Sequence, residues 1–227
     1  MIENKKISVV VVAAGVGERF GGDKLLEKIQ DKPVLVVTLS KFLLPEVDEI
    51  VVACHPKKIT IYRDLIAKYL SDSRIRLILG GSERWQSSLA GIKEASGEIV
   101  AIHDAARPLV RPEIITEILK RAIETGAAVV AAPATDSIKV VREGENVSAL
   151  NRREIYLAQT PQVFSRELIL EAYARAAAAN FQEMTDESEL VTRFMERGVS
   201  VVVSDNHNMK ITYPGDMEVV RLWARET

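Results

Sequence analysis

Three features of the 227-residue chain predict an α/β fold, a mostly parallel sheet with helices on both faces and one projecting β-hairpin. Short apolar, β-branched runs alternate with helix-period stretches almost from end to end, the pattern of right-handed βαβ units. The first run, Ile7 to Ala13, is unbroken, as in a strand covered on both faces. The rhythm breaks once, over residues 136–153.

Taken in order, Ile7 to Ala13 is the first strand, Pro33 to Leu44 a helix, and Glu49 to Cys54 the second strand. Lys58 to Leu70 is helical, Arg74 to Leu79 a strand, Trp85 to Ala95 a helix, and Glu98 to His103 a buried strand ending in polar residues. The helix from Glu113 to Glu124 opens after Pro112 and stops before Gly126, with a strand from Ala127 to Ala132 beyond it. Ser137 to Arg142 and Asn146 to Leu150 flank Glu143-Gly144-Glu145, a hairpin with glycine in a three-residue loop. Its arms are short and half apolar, so it projects or lies at an edge and needs something to pack on. Helices from Arg166 to Ala179 and Asp186 to Arg197 follow, the second opened by a capping box of Asp186 and Glu189. Val199 to Ser204, a short return strand Met209 to Thr212 and a helix after Pro214 complete the chain. This is a Rossmann-like plan: one domain over residues 1–227, with residues 136–153 as a hairpin arm.

Composition excludes several function classes. Thirty Lys and Arg against 32 Asp and Glu give a net charge of −2, which disfavours adhesion to nucleic acid or membrane surfaces. One cysteine, Cys54, excludes a disulfide scaffold or a cysteine-based zinc cluster, and at a strand end it reads as an inert core thiol. Apolar residues make up 47%, yet no run approaches the ~20 needed to span a membrane, and Met1 to Lys6 carries no leader pattern. A cytoplasmic protein acting on small ligands is expected.

The segment after the first strand, Ala13-Ala14-Gly15-Val16-Gly17-Glu18-Arg19-Phe20-Gly21-Gly22-Asp23-Lys24, places four glycines and two cations where a doubly wound sheet binds its ligand. Glycines let backbone N–H groups approach an anion, and Arg19 and Lys24 neutralise it. It is neither of the two common phosphate loops. Asp23 and Leu25 break the Walker A pattern; Phe20 and the absence of an acid at Cys54-His55 break the dinucleotide fingerprint.

Ala-Ala-Gly-x-Gly-x-Arg followed by Lys resembles the opening of nucleotidyltransferases that make nucleoside-diphosphate derivatives of sugars and alcohols. Gly80-Gly81-Ser82-Glu83-Arg84 with Ser87 to Gly91, His103-Asp104-Ala105-Ala106-Arg107-Pro108, Thr160-Pro161-Gln162, Thr185-Asp186-Glu187 and Asn208 to Thr212 narrow the resemblance. Together they resemble the 2-C-methyl-D-erythritol 4-phosphate cytidylyltransferase family of the non-mevalonate isoprenoid pathway, in order and over nearly the whole chain.

The resemblance implies the nucleotide-diphospho-sugar transferase type of fold and attack by a substrate phosphate on the α-phosphorus of CTP. Such a reaction needs alignment and charge neutralisation rather than a covalent relay. Arg19, Lys24 and Lys210 are then catalytic. Ala13, Ala14, Gly15, Gly17, Gly81, Ser82 and Ser87 form the CTP site, and Arg84 is either a phosphate or base contact or a solvated helix-start charge. Asp104 among phosphates implies a bridging Mg²⁺, since that ion needs few protein ligands. With no second histidine nearby in sequence, His103 reads as a supporting residue rather than a ligand. The polyol phosphate is expected by Asp104, Arg107, Thr185 and Lys210, although Thr185-Asp186-Glu187 also reads as a plain helix cap. Ser137 and Arg152 are expected to reach the active site of a second subunit through the arm, making a homodimer. Arg153 is a second candidate beside Arg152, which is preferred by its spacing from Thr160. Ser82 and Ser137 stand where relatives often carry aspartate and threonine. Other expectations compatible with these motifs are a cytidylyltransferase for another polyol phosphate such as ribitol 5-phosphate, a sugar-nucleotide pyrophosphorylase using another nucleotide, and a non-catalytic nucleotide-binding domain.

Overall fold

The computed structural model describes residues 2–181 and 183–225. The chain first forms β1 (Ile7–Ala13), a minor hairpin of β2 (Lys28–Ile29) and β3 (Lys32–Pro33), and α1 (Val34–Ser40). Next come β4 (Glu49–Cys54), α2 (Ile59–Tyr69), β5 (Ile75–Leu79), α3 (Arg84–Glu94), β6 (Ile99–Asp104), α4 (Pro112–Thr125) and β7 (Ala127–Pro133). The arm is β8 (Lys139–Arg142) and β9 (Glu145–Ala149), after which β10 (Tyr156–Ser165), α5 (Arg166–Ala178), α6 (Glu187–Phe194), β11 (Ser200–Val203) and α7 (Asp216–Trp223) complete the fold.

One seven-stranded sheet runs β11-β7-β10-β6-β1-β4-β5. β1 pairs in parallel with both β4 and β6, and its side chains alternate between two cores. Val9 and Val11 join Leu35, Leu39, Tyr62, Ile115 and Val220 from α1, α2, α4 and α7; Val10 joins Ile92, Ile169 and Leu190 from α3, α5 and α6. Burial on both faces explains why β1 reads as a continuous apolar run. Gly91 on α3 allows this close packing, because a Cβ there would stand 2.2 Å from Val10 Cγ1.

The structure departs from the expected elements in several places. β10 is missing from the expected order, yet it is antiparallel to both β6 and β7 near the middle of the sheet. Pro161 and the polar residues around it disguise the strand. The β10–β7 register shifts between Ala158 and Gln162, so the proline falls where the ladder needs no N–H. Met209 to Thr212 is no strand; it crosses the strand ends with one main-chain bond, Ile211 N–H to Ala106 O (2.9 Å). The first helix is shorter than its periodicity suggests: Pro33 belongs to the β2–β3 hairpin, and past Ser40 the Lys41, Phe42 and Leu43 N–H groups turn to the carbonyls three residues back; α6 ends at Phe194. Its cap is also displaced: Asp186 accepts from Glu189 N–H, but Glu189 accepts from Thr185. The arm turns through two residues, not three, with Glu143 at φ 50° and Gly144 at φ 85°, the left-handed pair a tight hairpin requires. No helix among the described residues is long and apolar enough to cross a membrane.

Candidate active site at the β1–β6 crevice

The chain runs from β1 to β4 and β5 on one side, then crosses to β6 on the other, so the strand order reverses between β1 and β6. Side chains cannot close the gap there, and ligands bind at such a switch point. A cleft of about 560 Å³ opens there, within the range of ligand sites. The glycine-rich loop after β1, the Gly81 turn with the start of α3, the end of β6 and the segment around Lys210 form its walls.

Two glycines have a steric reason. Gly17 adopts φ 76°, and a Cβ there would lie 2.2 Å from Gly22 O, so the loop folds back on itself only with glycine. At Gly80 a Cβ would meet Ala14 Cβ at 2.6 Å and Ser87 Oγ at 2.8 Å. The β1 and β5 turns therefore close on each other, and Ser87 Oγ fixes the second by accepting from Gly81 N–H (3.1 Å). Ser82 also lines the cleft, its hydroxyl donating to Gln86 Oε1 (2.8 Å) at the start of α3.

Asp104 is the electrostatic centre. Its oxygens receive Arg84 Nε at 3.0 Å and Lys210 Nζ at 2.9 Å, with Arg107 Nε at 3.6 Å. Burial alone would raise its pKa, but Arg84, Lys210 and Arg107 outweigh that and hold the carboxyl well below its usual range. Lys24 Nζ donates to Ile211 O at 2.5 Å. Its pKa is lowered by burial and then by the charge of Lys210. Two lysines facing one cleft repel each other, and an anion between them would relieve that repulsion. Arg19 is exposed on the loop, its guanidinium 5.9 Å from the Tyr213 ring.

Behind this front lie residues whose linkage sequence alone did not reveal. Asp104 N–H donates to Thr160 Oγ1 (3.1 Å), which lies 3.0 Å from His103 Nδ1, while His103 Nε2 lies 3.0 Å from Arg107 O. A carbonyl only accepts, so Nε2 carries the hydrogen and Thr160 donates to Nδ1. His103 is neutral: burial lowers its pKa to about 4. Arg84 is no solvated helix-start charge. It spans Asp104 and Glu187, whose two oxygens each lie 2.9 Å from its Nη1, and Tyr173 Oη donates to Glu187 Oε1 (3.1 Å). Motif matching marked Thr160 and Glu187, but no spacing ties residue 160 to 103 or 187 to 84.

Ala13, Ala14, Gly15, Gly17, Arg19, Lys24, Gly81, Ser82, Arg84, Ser87, Asp104 and Lys210 line one cleft. Arg107 sits just beneath it, donating to Asn208 O (2.7 Å). The other three expected residues are elsewhere in the single chain. Thr185 is exposed and donates through N–H and hydroxyl to Glu189 Oε2, both at 2.9 Å, so here it serves the helix cap. Ser137 and Arg152 are exposed at the base of the arm, with Arg152 Nη1 donating to Thr135 O. Cys54 is buried and its thiol is pushed up to about 12 by desolvation, as an inert core residue should be.

A glycine-rich loop at the switch point of a doubly wound sheet, facing converging lysines and arginines, defines a nucleotide-binding α/β protein equipped for chemistry at phosphate. The model of the family described as 2-C-methyl-D-erythritol 4-phosphate cytidylyltransferase matches residues 7–225, and the chain belongs to that family. Its relatives of that description include one from Geotalea uraniireducens, 40% identical over 224 residues (93% of this chain, 94% of the relative). Another, from Solibacter usitatus, is 36% identical over 237 residues (97% and 96%). The crystal structure of 4-diphosphocytidyl-2C-methyl-D-erythritol synthase from Anaerococcus prevotii superposes with a TM-score of 0.87 at 29% identity, covering 99% of this chain and 98% of that one.

Proposed function

We propose that this chain transfers the cytidylyl group of CTP to the phosphate of 2-C-methyl-D-erythritol 4-phosphate, releasing pyrophosphate, in non-mevalonate isoprenoid precursor synthesis. A phosphate oxygen of the acceptor bonds to the α-phosphorus as the bond to the pyrophosphate oxygen breaks. The acceptor is already nucleophilic, so the site need only align the two anions and neutralise the charge that builds between them. The observation that carries this reading is the meeting of Lys24, Lys210 and Arg84 around Asp104 at the crevice, beneath the Ala13-Ala14 and Gly81 backbone.

Lys24 and Lys210 act on the reacting phosphates, Arg19 holds the outer end of the triphosphate, and the closely packed turns read the cytosine edge. Arg107 and Arg84 keep Asp104 ionised. Among the described residues no three His, Cys, Asp or Glu side chains cluster to cage a metal. Mg²⁺ does not need such a cage, because it takes one or two carboxylates plus substrate phosphates and water. Asp104 has room for that part: Arg84 Nε takes one position on Oδ1 and Lys210 Nζ one on Oδ2, which leaves an acceptor position on each oxygen, and the substrate phosphates would offset the surrounding positive charge. When bound, the ion would supply further charge neutralisation.

The domain reading is one nucleotidyltransferase domain whose segment 136–153 is a dimerisation arm. In support, Val141, Val147, Leu150 and Leu157 are all exposed on or beside the arm, an apolar surface that a second copy would cover. The arm would then carry Ser137 and Arg152 to the partner's acceptor phosphate, and Thr185 would turn to the substrate on binding. The free, buried Cys54 suits a reducing cytoplasm. Pyrophosphate release tests the transfer itself, using the four nucleoside triphosphates against methylerythritol phosphate, ribitol phosphate and common sugar 1-phosphates. Release with CTP and methylerythritol phosphate is expected; no release from any pair would refute it.

A further inference from the structure

We infer that Asp23, clamped by Tyr62 and Lys58, is a positioning residue that sets where Lys24 stands in the cleft. The inference rests on Lys24 being a phosphate contact. Residues 15–22 fold on their own turn, with Phe20 and Gly21 N–H both donating to Gly17 O at 3.0 Å, and Phe20 packs against the core. Asp23 is where polar contacts tie the residue before Lys24 to α2. Tyr62 Oη lies 3.1 and 2.9 Å from its two oxygens, Lys58 Nζ lies 3.0 Å away, and Leu25 N–H donates to Oδ1 at 3.2 Å.

The clamp is stiff because of where its parts sit. Tyr62 is fully buried on α2, so its hydroxyl is a fixed point supplied by the core rather than by the surface. Lys58, at the N-terminal end of the same helix, balances the Asp23 charge, and both side chains are largely shielded, at 19% and 14% exposure. An acid directly before Lys24 would otherwise compete for its ammonium group. With Asp23 turned to Tyr62 and Lys58, the Lys24 ammonium spans instead to Ile211 O across the cleft. Asp23, the residue that breaks the Walker A pattern, thus supplies an anchor which that pattern lacks.

A double-mutant cycle on the full-length enzyme tests this. Tyr62→Phe keeps the buried ring and removes only the hydroxyl, so it should fold and lower kcat/KM by roughly 10- to 100-fold, the weight of a hydrogen bond to a charged group. If Tyr62 acts through Asp23 on Lys24, the same change in a Lys24→Ala background, assayed at raised enzyme concentration, should cost less than about twofold. Asp23→Asn, which keeps an acceptor for Tyr62, should lose less than Asp23→Ala. Equal losses from Tyr62→Phe in both backgrounds, or no loss in either, would overturn the clamp while leaving the site reading intact. Near-normal turnover of Lys24→Ala would overturn that reading first.

Discussion

Thr160→Val isolates the support beneath Asp104. Valine closely matches threonine in shape, so the change removes one hydroxyl from a fully packed position, 3% exposed. Two partners are stranded. Asp104 N–H loses its acceptor, and His103 Nδ1 loses its donor. The imidazole cannot compensate by changing tautomer, because Nε2–H is committed to Arg107 O. Leaving a buried polar group unpaired costs ~1–3 kcal/mol, so the two together predict a loss of about 2–6 kcal/mol. For a chain of this length each kcal/mol moves Tm by ~2–4 °C, which places a 4 kcal/mol loss at about 8–16 °C. Urea titration and calorimetry would measure stability, and pyrophosphate release at 25 °C would measure activity while the variant is folded. Asp104 should lose its fixed position and kcat/KM should fall, whereas Thr160→Ser should recover most of both. A Thr160→Val variant within 1 kcal/mol of the parent, with unchanged kcat/KM, would refute the relay.

Three further outcomes follow from the same structure. Glu49 accepts from Ser8 Oγ and from Ser96 N–H and Oγ; burial opposes ionisation, but these bonds and Arg76 lower its pKa to about 2 from an ordinary 4.5. Its folded pKa is depressed, so its contribution of up to about 3 kcal/mol is complete above pH 4.5 and is lost as pH falls towards 2; Glu49→Gln should flatten that acid limb in denaturation curves. Gly17→Ala forces a side chain into the left-handed region against Gly22 O, which should cost ~1–3 kcal/mol and reduce turnover sharply; normal activity would show that the loop tolerates another shape. Asp104→Asn leaves Lys210 and Arg107 without their counter-charge and Arg84 with Glu187 alone, so it should lower stability by at most ~3–5 kcal/mol and alter the Mg²⁺ dependence of turnover; an unchanged metal requirement would remove Asp104 from that role.

The legible part of the fold was the part with local period. β1, β4, β6 and β7 are apolar runs because helices cover both faces, and α4 announces itself through Pro112 and Gly126. β10 was not legible, because Pro161 and its polar neighbours deny a strand locally and only the pairing with β6 and β7 makes it one. The cleft was legible through its motifs: twelve expected residues do line it, although they come from separate stretches of chain. Arg84 shows the limit, since a charge at a helix start reads as solvated until Asp104 and Glu187 are brought to it.

By itself the sequence determined the α/β alternation, the hairpin excursion, the glycine-rich loop and the family to which their motifs belong. These are short-range matters of side-chain period, turn chemistry and residue type. Tertiary structure alone decided the antiparallel place of β10, the Thr160–His103 relay, the Arg84–Glu187 bridge and the Tyr62 hold on Asp23. Each joins residues 20 or more positions apart, which only the folded chain brings together. At the crevice burial strengthens charge, so the same aspartate and arginine that would be ordinary surface groups become a coupled site.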